Sequence, residues 1–336
     1  MGEDLYYALG GGLGHLTRAR AVLATLGVRA RVLVLPQQAL DPAAVQGLDL
    51  LPLPTDLVAR PGDLGPWLGR LLWARRPRRL WLDSFPGGLL GELCGIALPP
   101  GLEIDYLARL LRWDRYAQRL QGAPPPLARV HLLEPLNPDH ADWLARRGAW
   151  PVPLCLVDPE PPPPPLDAMV RLAALPPSRW LVVHSGPAAE VRELLDFARD
   201  LAAAEGLSPT LVLIAPRGLD CPAPGVLRLY AAPARGLYPL AERILTACGF
   251  NAMRETLPYR DRHRFLPMPR ALDDQYARAA RRRQAPASPW ASLSARSMRR
   301  PGLGSPPSAS RSRSDSSPIL NLPIREAPMV AARTLS

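Results

Sequence analysis

Asp4-Leu5-Tyr6-Tyr7-Ala8-Leu9-Gly10-Gly11-Gly12-Leu13-Gly14-His15 is the stretch on which the fold turns. A short apolar run, residues 4–9, stops at a glycine loop, and residues 16–26 then repeat apolar side chains at helical spacing. Strand, glycine turn and helix in that order open a parallel α/β sheet. Residues 31–35 read as a second buried strand, and Leu80-Trp81-Leu82 as another that ends at Asp83-Ser84-Phe85-Pro86. Residues 102–121 mix Leu, Tyr and Trp with Arg and Asp at helical spacing, and residues 129–133 read as the last strand of this half, where the first domain is expected to close.

The alternation then starts again. Residues 180–184 read as strand, 189–205 as helix, 210–215 as strand, and Ile244-Leu245-Thr246 as a strand before Cys248-Gly249. Repeated strand and helix imply parallel sheets covered on both faces. The chain of 336 residues is long enough for two such domains and an appendage. Pro159-Glu160 and the five prolines that follow form a stiff spacer, so the junction is placed there. The expected organisation is an α/β fold of two doubly wound, Rossmann-like domains facing across a cleft. Residues 1–157 form the first domain, 158–178 the linker and lead-in, and 179–283 the second domain. Residues 284–336 form a low-complexity Ser/Pro/Arg tail, expected to be disordered.

Composition narrows the functional classes. Of the net charge of +11, residues 281–336 contribute +8, from ten Arg against Asp315 and Glu326, which leaves +3 for residues 1–280. The body is close to neutral and no nucleic-acid partner is expected for it; the Arg-rich tail keeps that reading open for itself alone. No apolar stretch is long enough to span a membrane, and the acidic start Met1-Gly2-Glu3-Asp4 is unlike a secretory signal, so a cytoplasmic location is expected. Cys94, Cys155, Cys221 and Cys248 show neither disulfide nor zinc-ligand spacing and are expected to be small buried residues.

Chemistry concentrates at the glycine turns. The loop before residue 16 gathers backbone N–H groups and a positive helix end in one concavity suited to an anion. The NTPase loop pattern is absent. The dinucleotide fingerprint fails too, since His15 stands where its third glycine belongs and Pro36-Gln37-Gln38 where its ribose acid belongs. His15, at the helix start, faces the crevice beyond the strand ends and can accept a proton near neutral pH; a cap for the turn is the competing reading. Residues 246–255 repeat the strand, turn and helix plan. Glu255 is expected in the first turns of that helix, fit for a ribose diol, and Asp274 and Gln275 beyond a later strand, fit for sugar hydroxyls. A helix-end charge and a solvated turn are the plainer alternatives for these acids.

Together these segments resemble the GT-B glycosyltransferases, especially the bacterial N-acetylglucosaminyltransferases of peptidoglycan precursor synthesis and predicted transferases related to them, over roughly residues 4–283. Gly12-Leu13-Gly14-His15 resembles that family's first glycine loop. Asp83-Ser84-Phe85-Pro86 with Gly91-Glu92-Leu93 resembles its acceptor-side strand end, and His184-Ser185-Gly186 its second-domain loop. Gly249 through Glu255, with Asp274-Gln275, carries the most specific match. The resemblance implies a nucleotide-sugar donor, uridine-linked, as substrate with no cofactor. It implies His15, or Asp83 in its place, as the base toward an acceptor hydroxyl with inversion at the anomeric carbon. Gly12, Gly14, Ser185 and Gly186 would hold the donor diphosphate, and Gly249, Asn251, Glu255, Asp274 and Gln275 the nucleotide and sugar. No metal is implied, since no Asp-x-Asp occurs. A lipid acceptor would add peripheral membrane association. A nucleotide-sugar epimerase of the same fold and an inactive remnant are the alternatives. The stretch after Arg283 departs from the family, whose members continue with helices that cross back to the first domain.

Overall fold

The computed structural model describes residues 3–10, 13–36, 45–160, 163–216, 218–219 and 224–284. A first sheet holds seven strands, β1 (Asp4–Tyr7), β2 (Arg31–Val34), β3 (Asp49–Pro52), β4 (Arg79–Asp83), β5 (Glu103–Ala108), β6 (Arg129–Leu132) and β7 (Pro151–Pro153), in the order β3-β2-β1-β4-β5-β6-β7. A second holds β8 (Arg179–Val183), β9 (Thr210–Ile214), β10 (Leu227–Leu229), β11 (Arg243–Ala247) and β12 (His263–Leu266), in the order β10-β9-β8-β11-β12. Every pairing is parallel. The described α-helices are α1 (Gly14–Leu26), α2 (Thr55–Ala59), α3 (Leu64–Arg75), α4 (Trp113–Ala117), α5 (Pro138–Arg146), α6 (Leu166–Ala173), α7 (Ala188–Ala204), α8 (Phe250–Glu255) and α9 (Gln275–Gln284).

Strand alternation assigns the two faces of each sheet. In β1, Leu5 and Tyr7 pack with Leu64, Leu68 and Leu72 of α3, whereas Tyr6, and Ala8 just beyond the strand, pack with Leu16, Ala19 and Val22 of α1. In the second sheet Trp180 and Val182 meet Val191, Leu194 and Ala198 of α7, and Leu181 meets Ala168 and Leu172 of α6. Both strand faces are covered, which is why the central strands read as unbroken apolar runs.

Two expectations are corrected. Residues 102–121 are not one helix. Glu103–Ala108 forms β5, inserted between β4 and β6, and only Trp113–Ala117 is helical. The alternation of β5, Glu103-Ile104-Asp105-Tyr106, is short and runs straight into Leu107-Ala108, so it does not stand out from the helical spacing of the residues that follow. Nor does the first domain close at residue 133, because α5 and the edge strand β7 follow. The crossing segment is clipped on both sides. Val157 exchanges hydrogen bonds with Thr25 Oγ1 of α1 (2.9 and 3.3 Å), and Asp158 takes a fork from Arg254 (2.6 and 2.8 Å) and a bond from Arg235 (2.8 Å). Among the cysteines Cys248 is buried, but Cys94 is half-buried and Cys155 exposed, since Cys155 lies in the crossing segment. Cys221 and the tail from residue 285 lie outside the described residues. Among the described residues no helix is long and apolar enough to cross a membrane.

Candidate functional site

Strand order reverses between β1 and β4 in the first sheet and between β8 and β11 in the second. Loops leaving neighbouring strands at such a point turn to opposite faces and leave a crevice at the carboxyl ends, where open α/β sheets bind ligands. The two crevices open on one cleft of approximately 810 Å³, lined from both halves.

On the first side the β1–α1 turn delivers His15 and the end of β4 delivers Asp83. His15 Nδ1 lies 2.7 Å from Asp83 Oδ2, and the fully buried Asp83 also accepts from Arg18 Nε (2.5 Å) and Nη2 (2.8 Å). His15 and Arg18 stand three residues apart on α1 and so share a face. Burial alone would raise the Asp83 carboxyl, but the Arg18 charge and the bonds from His15 and Arg18 hold it well below the usual carboxylate range. An ionised Asp83 fixes the tautomer, with Nδ1–H donating and the lone pair on Nε2. Burial, reinforced by Arg18 and Arg109, outweighs Asp83 and lowers the imidazole below its ordinary value, so His15 is neutral at pH 7. A Cβ on Gly10 would stand 2.0 Å from His15 Nε2. Gly10 is therefore the seat of the imidazole, a role in packing. Gly14 gives its carbonyl to Asn251 Nδ2 across the cleft (2.7 Å), and Gly12 lies outside the described residues.

The second side repeats the device. His184 Nε2 meets Glu190 Oε2 at 2.7 Å over Gly186, where a Cβ would come within 2.4 Å of that nitrogen. Arg270 forks onto the same carboxylate (Nη2–Oε2 2.5 Å). Ser185, Gly186, Glu190 and Arg270 all line the cleft. Gly249 differs: its φ of −64° suits any residue, and a Cβ there would meet nothing within 4 Å. It fronts open cleft, so no neighbouring group demands a glycine there.

Glu255 lines the cleft, but at the last residue of α8, so the expectation of a first-turn carboxylate favoured by the helix dipole is corrected. Its environment acts the other way. Burial pushes its carboxyl up to about 7, with Asp158 adding to the rise and Arg254, Arg235 and Arg20 opposing it. Asp274 caps α9, its Oδ1 accepting from Ala277 N (2.9 Å), and borders a side cavity of approximately 190 Å³; its neighbour Asp273 lines both that cavity and the main cleft. Gln275 is buried, and its Oε1 accepts from the backbone N–H of Cys248 (3.1 Å) and Met268 (3.0 Å), which leaves only Nε2 for a ligand. Among the described residues no group of three or more His, Cys, Asp or Glu is placed to hold a metal ion.

Several residues escaped the sequence reading. Arg18 was legible, three residues after His15. Arg270, Glu190 and Arg278 were not, because the pairs Arg270–Glu190 and Arg278–Glu134 join residues 80 and 144 positions apart. Arg278 of α9 reaches back to the first domain, donating to Glu134 (2.8 Å from Nε and from Nη2), while Arg281 donates to the carbonyls of Pro135 and Leu136. The crossing contact that the family resemblance assigns to later helices is thus already made by α9.

No protein-family model matches the chain, and no curated protein matches it significantly in sequence. Solved structures do. The spinosyn rhamnosyltransferase SpnG superposes with a TM-score of 0.56 at 18% identity, covering 83% of this chain and 84% of its own. The glycotransferase of kitacinnamycin gives 0.53 at 17% over 85% and 88%, and the spinosyn forosaminyltransferase SpnP gives 0.51 at 17% over 83% and 82%. SpnG complexed with thymidine diphosphate gives 0.52. The fold is GT-B.

Proposed function

We propose that the chain is a glycosyltransferase that moves a sugar from a nucleoside diphosphate donor to an acceptor hydroxyl, with His15 as the base. The observation that carries the reading is the neutral His15, oriented by a buried, ionised Asp83, at one switch point and facing the other switch point across the cleft. His15 Nε2 takes the acceptor proton while the hydroxyl oxygen attacks the anomeric carbon. The bond from that carbon to the diphosphate oxygen breaks, and attack from the opposite face inverts the centre. Asp83 orients the imidazole and stabilises its charged form; with no exposed surface and both oxygens engaged, it is not itself the base.

The diphosphate gains negative charge as it leaves. Ser185 and Gly186, ahead of the N-terminus of α7, and Arg270 would meet it, with Arg270 exchanging Glu190 for phosphate oxygens; that all three line the cleft supports this role. Gly249 gives the donor a close approach to the backbone, and Glu255 takes the ribose. The thymidine diphosphate complex of SpnG supports a nucleoside diphosphate in a fold of this kind. The resemblance to peptidoglycan-precursor N-acetylglucosaminyltransferases makes a uridine-linked N-acetylhexosamine or hexose the first donor to try.

Calorimetric titration with UDP, TDP, UDP-N-acetylglucosamine, GDP and NAD tests the reading. Saturable binding of a uridine or thymidine nucleotide is expected, weakened about tenfold in Glu255→Ala. With a turned-over acceptor in hand, His15→Ala is expected to slow transfer by roughly 10²–10⁴-fold with donor affinity nearly intact. A folded chain that binds none of the nucleoside diphosphates, or binds NAD alone, overturns it; conversion of the free nucleotide sugar without acceptor would mark an epimerase instead.

A further inference from the structure

A continuous run of polar contacts crosses from the donor-side loop to the His15–Asp83 pair. Asp273 Oδ1 accepts from Arg109 Nη1 (2.7 Å) and from Arg278 Nη2 (2.8 Å). Arg109 Nε donates to Ser84 Oγ (2.7 Å), and Ser84 Oγ in turn reaches Asp83 Oδ1 (3.1 Å) while accepting from Arg18 Nη2 (3.1 Å). Asp83 completes the run at His15. Arg109, Ser84, Asp83, Arg18 and His15 belong to the first domain; Asp273 belongs to the second and directly precedes Asp274 and Gln275. The backbone is pinned in parallel, with Arg112 N donating to Leu272 O (2.8 Å) and an antiparallel bridge between Leu111 and Asp273.

Two features mark the run as more than incidental packing. Ser84 has φ of 75°, in the left-handed region that a residue with a side chain seldom adopts, and this conformation sets its Oγ among Asp83, Arg18 and Arg109. The charges also balance. Three guanidinium groups, Arg18, Arg109 and Arg278, face three carboxylates, Asp83, Asp273 and Glu134. His15 is neutral within a neutral cluster, and a proton on it would leave one positive charge uncompensated.

We propose that Asp273 is a positioning residue that acts through Arg109 and Ser84 on Asp83 and His15, so that the first domain's base is held in working geometry by the docked donor-side loop. The proposal rests on the reading of His15 as the base. Docking then ties the two halves of the reaction together, because the loop that carries Asp274 and Gln275 cannot leave its seat without removing the counter-charge from Arg109.

The groups that face His15 are Arg18 from α1, Asp83 from the end of β4, Arg109 from beyond β5, the phenol of Tyr6 from β1 beside Asp83 and Arg18, and the Phe85 ring. In Asp273→Asn the amide oxygen still accepts from Arg109 and Arg278 but the charge is gone, leaving the cluster one unit positive. The imidazole of His15 should then titrate lower, by about half a pH unit or more. Simple loosening would let water in and move it upward, toward its ordinary value near 6.5. NMR titration of the five histidines of the full chain, with His15 assigned from His15→Gln, reads the direction.

Arg109→Gln removes the cation and should raise the same titration, and Asp273→Asn added to that background should then have little effect. An unchanged or raised His15 titration in a cooperatively melting Asp273→Asn chain overturns the proposal, as does an equal effect with and without Arg109. If Asp273→Asn does not fold, Arg109→Gln decides alone, since an unmoved His15 there breaks the link. The titration needs no substrate. Failure of nucleotide binding therefore counts against the glycosyltransferase reading, and failure of the His15 shift against this one; in an active chain the acid limb of kcat/KM should move with the imidazole.

Discussion

Glu255 shows what one residue's surroundings do to its chemistry. It lies at the C-terminal residue of α8, half-buried on the cleft wall near Asp158, and desolvation pushes its carboxyl up to about 7. Because the folded value is raised above that of the unfolded chain, Glu255 contributes stability that is full below the unfolded value and is lost as pH rises through about 7. Glu255→Gln, which keeps shape and stays neutral, should raise Tm at about pH 8 and change it little near pH 5. The expected gain at the higher pH is up to about 3 kcal/mol by linkage, checked by thermal melts at both values. A bound ribose would draw on the same carboxylate, so donor affinity should also depend on pH near neutrality. Gly249 makes the contrasting case. Its Cβ position faces only open cleft, so Gly249→Ala should leave stability within about 0.5 kcal/mol of the parent while weakening nucleotide binding in the same titration.

At the scale of elements the β1–α1 turn is a seat for an imidazole. A methyl group on Gly10 would overlap His15 Nε2, so Gly10→Ala should push the ring off Asp83 at a cost of roughly 1–3 kcal/mol and reduce turnover to the level of His15→Ala. Melting and activity on one sample check both. This turn was legible in the sequence because a glycine loop between an apolar run and an amphipathic helix has few other uses. What the loop does was less legible: Gly10 and Gly186 each make room for a histidine, a contact formed in space that spacing cannot report. The central strand β5 escaped because its alternation, Glu103-Ile104-Asp105-Tyr106, lasts only four residues before the apolar Leu107-Ala108, and its Asp105 is buried rather than solvent-facing. The edge strands β3, β7 and β10 escaped because they are three or four residues long and partly exposed, two of them containing proline. Of the acids after β12, the sequence pointed to Asp274, whereas Asp273, one residue earlier, faces the main cleft; choosing between neighbours requires knowing which carboxylate caps α9.

The molecule as a whole joins its two sheets by polar contacts, Asn251 to Gly14 at one lip and Arg278, Arg281 and Asp273 to the first domain at the other, together with Phe250 and Leu272, which pack into apolar clusters of the first domain. Such a design should melt as one unit only while those contacts hold. Differential scanning calorimetry should give a single transition for the parent chain, and Glu134→Gln, which leaves Arg278 with Asp273 as its remaining carboxylate, should cost roughly 1–3 kcal/mol and separate the two sheets into distinct transitions. The balanced cluster beneath the cleft also has a consequence for ionic strength. Exposed pairs such as Arg60 and Asp56 lie in reach of the ion atmosphere, whose screening length is about 8 Å at physiological salt. Asp83 and Arg18, both buried against His15, meet the imidazole directly and are shielded by protein. Salt that weakens the hold of the open cleft on an anionic ligand would leave the proton equilibrium of His15 where it stands, so that grip and chemistry answer to different properties of the solution.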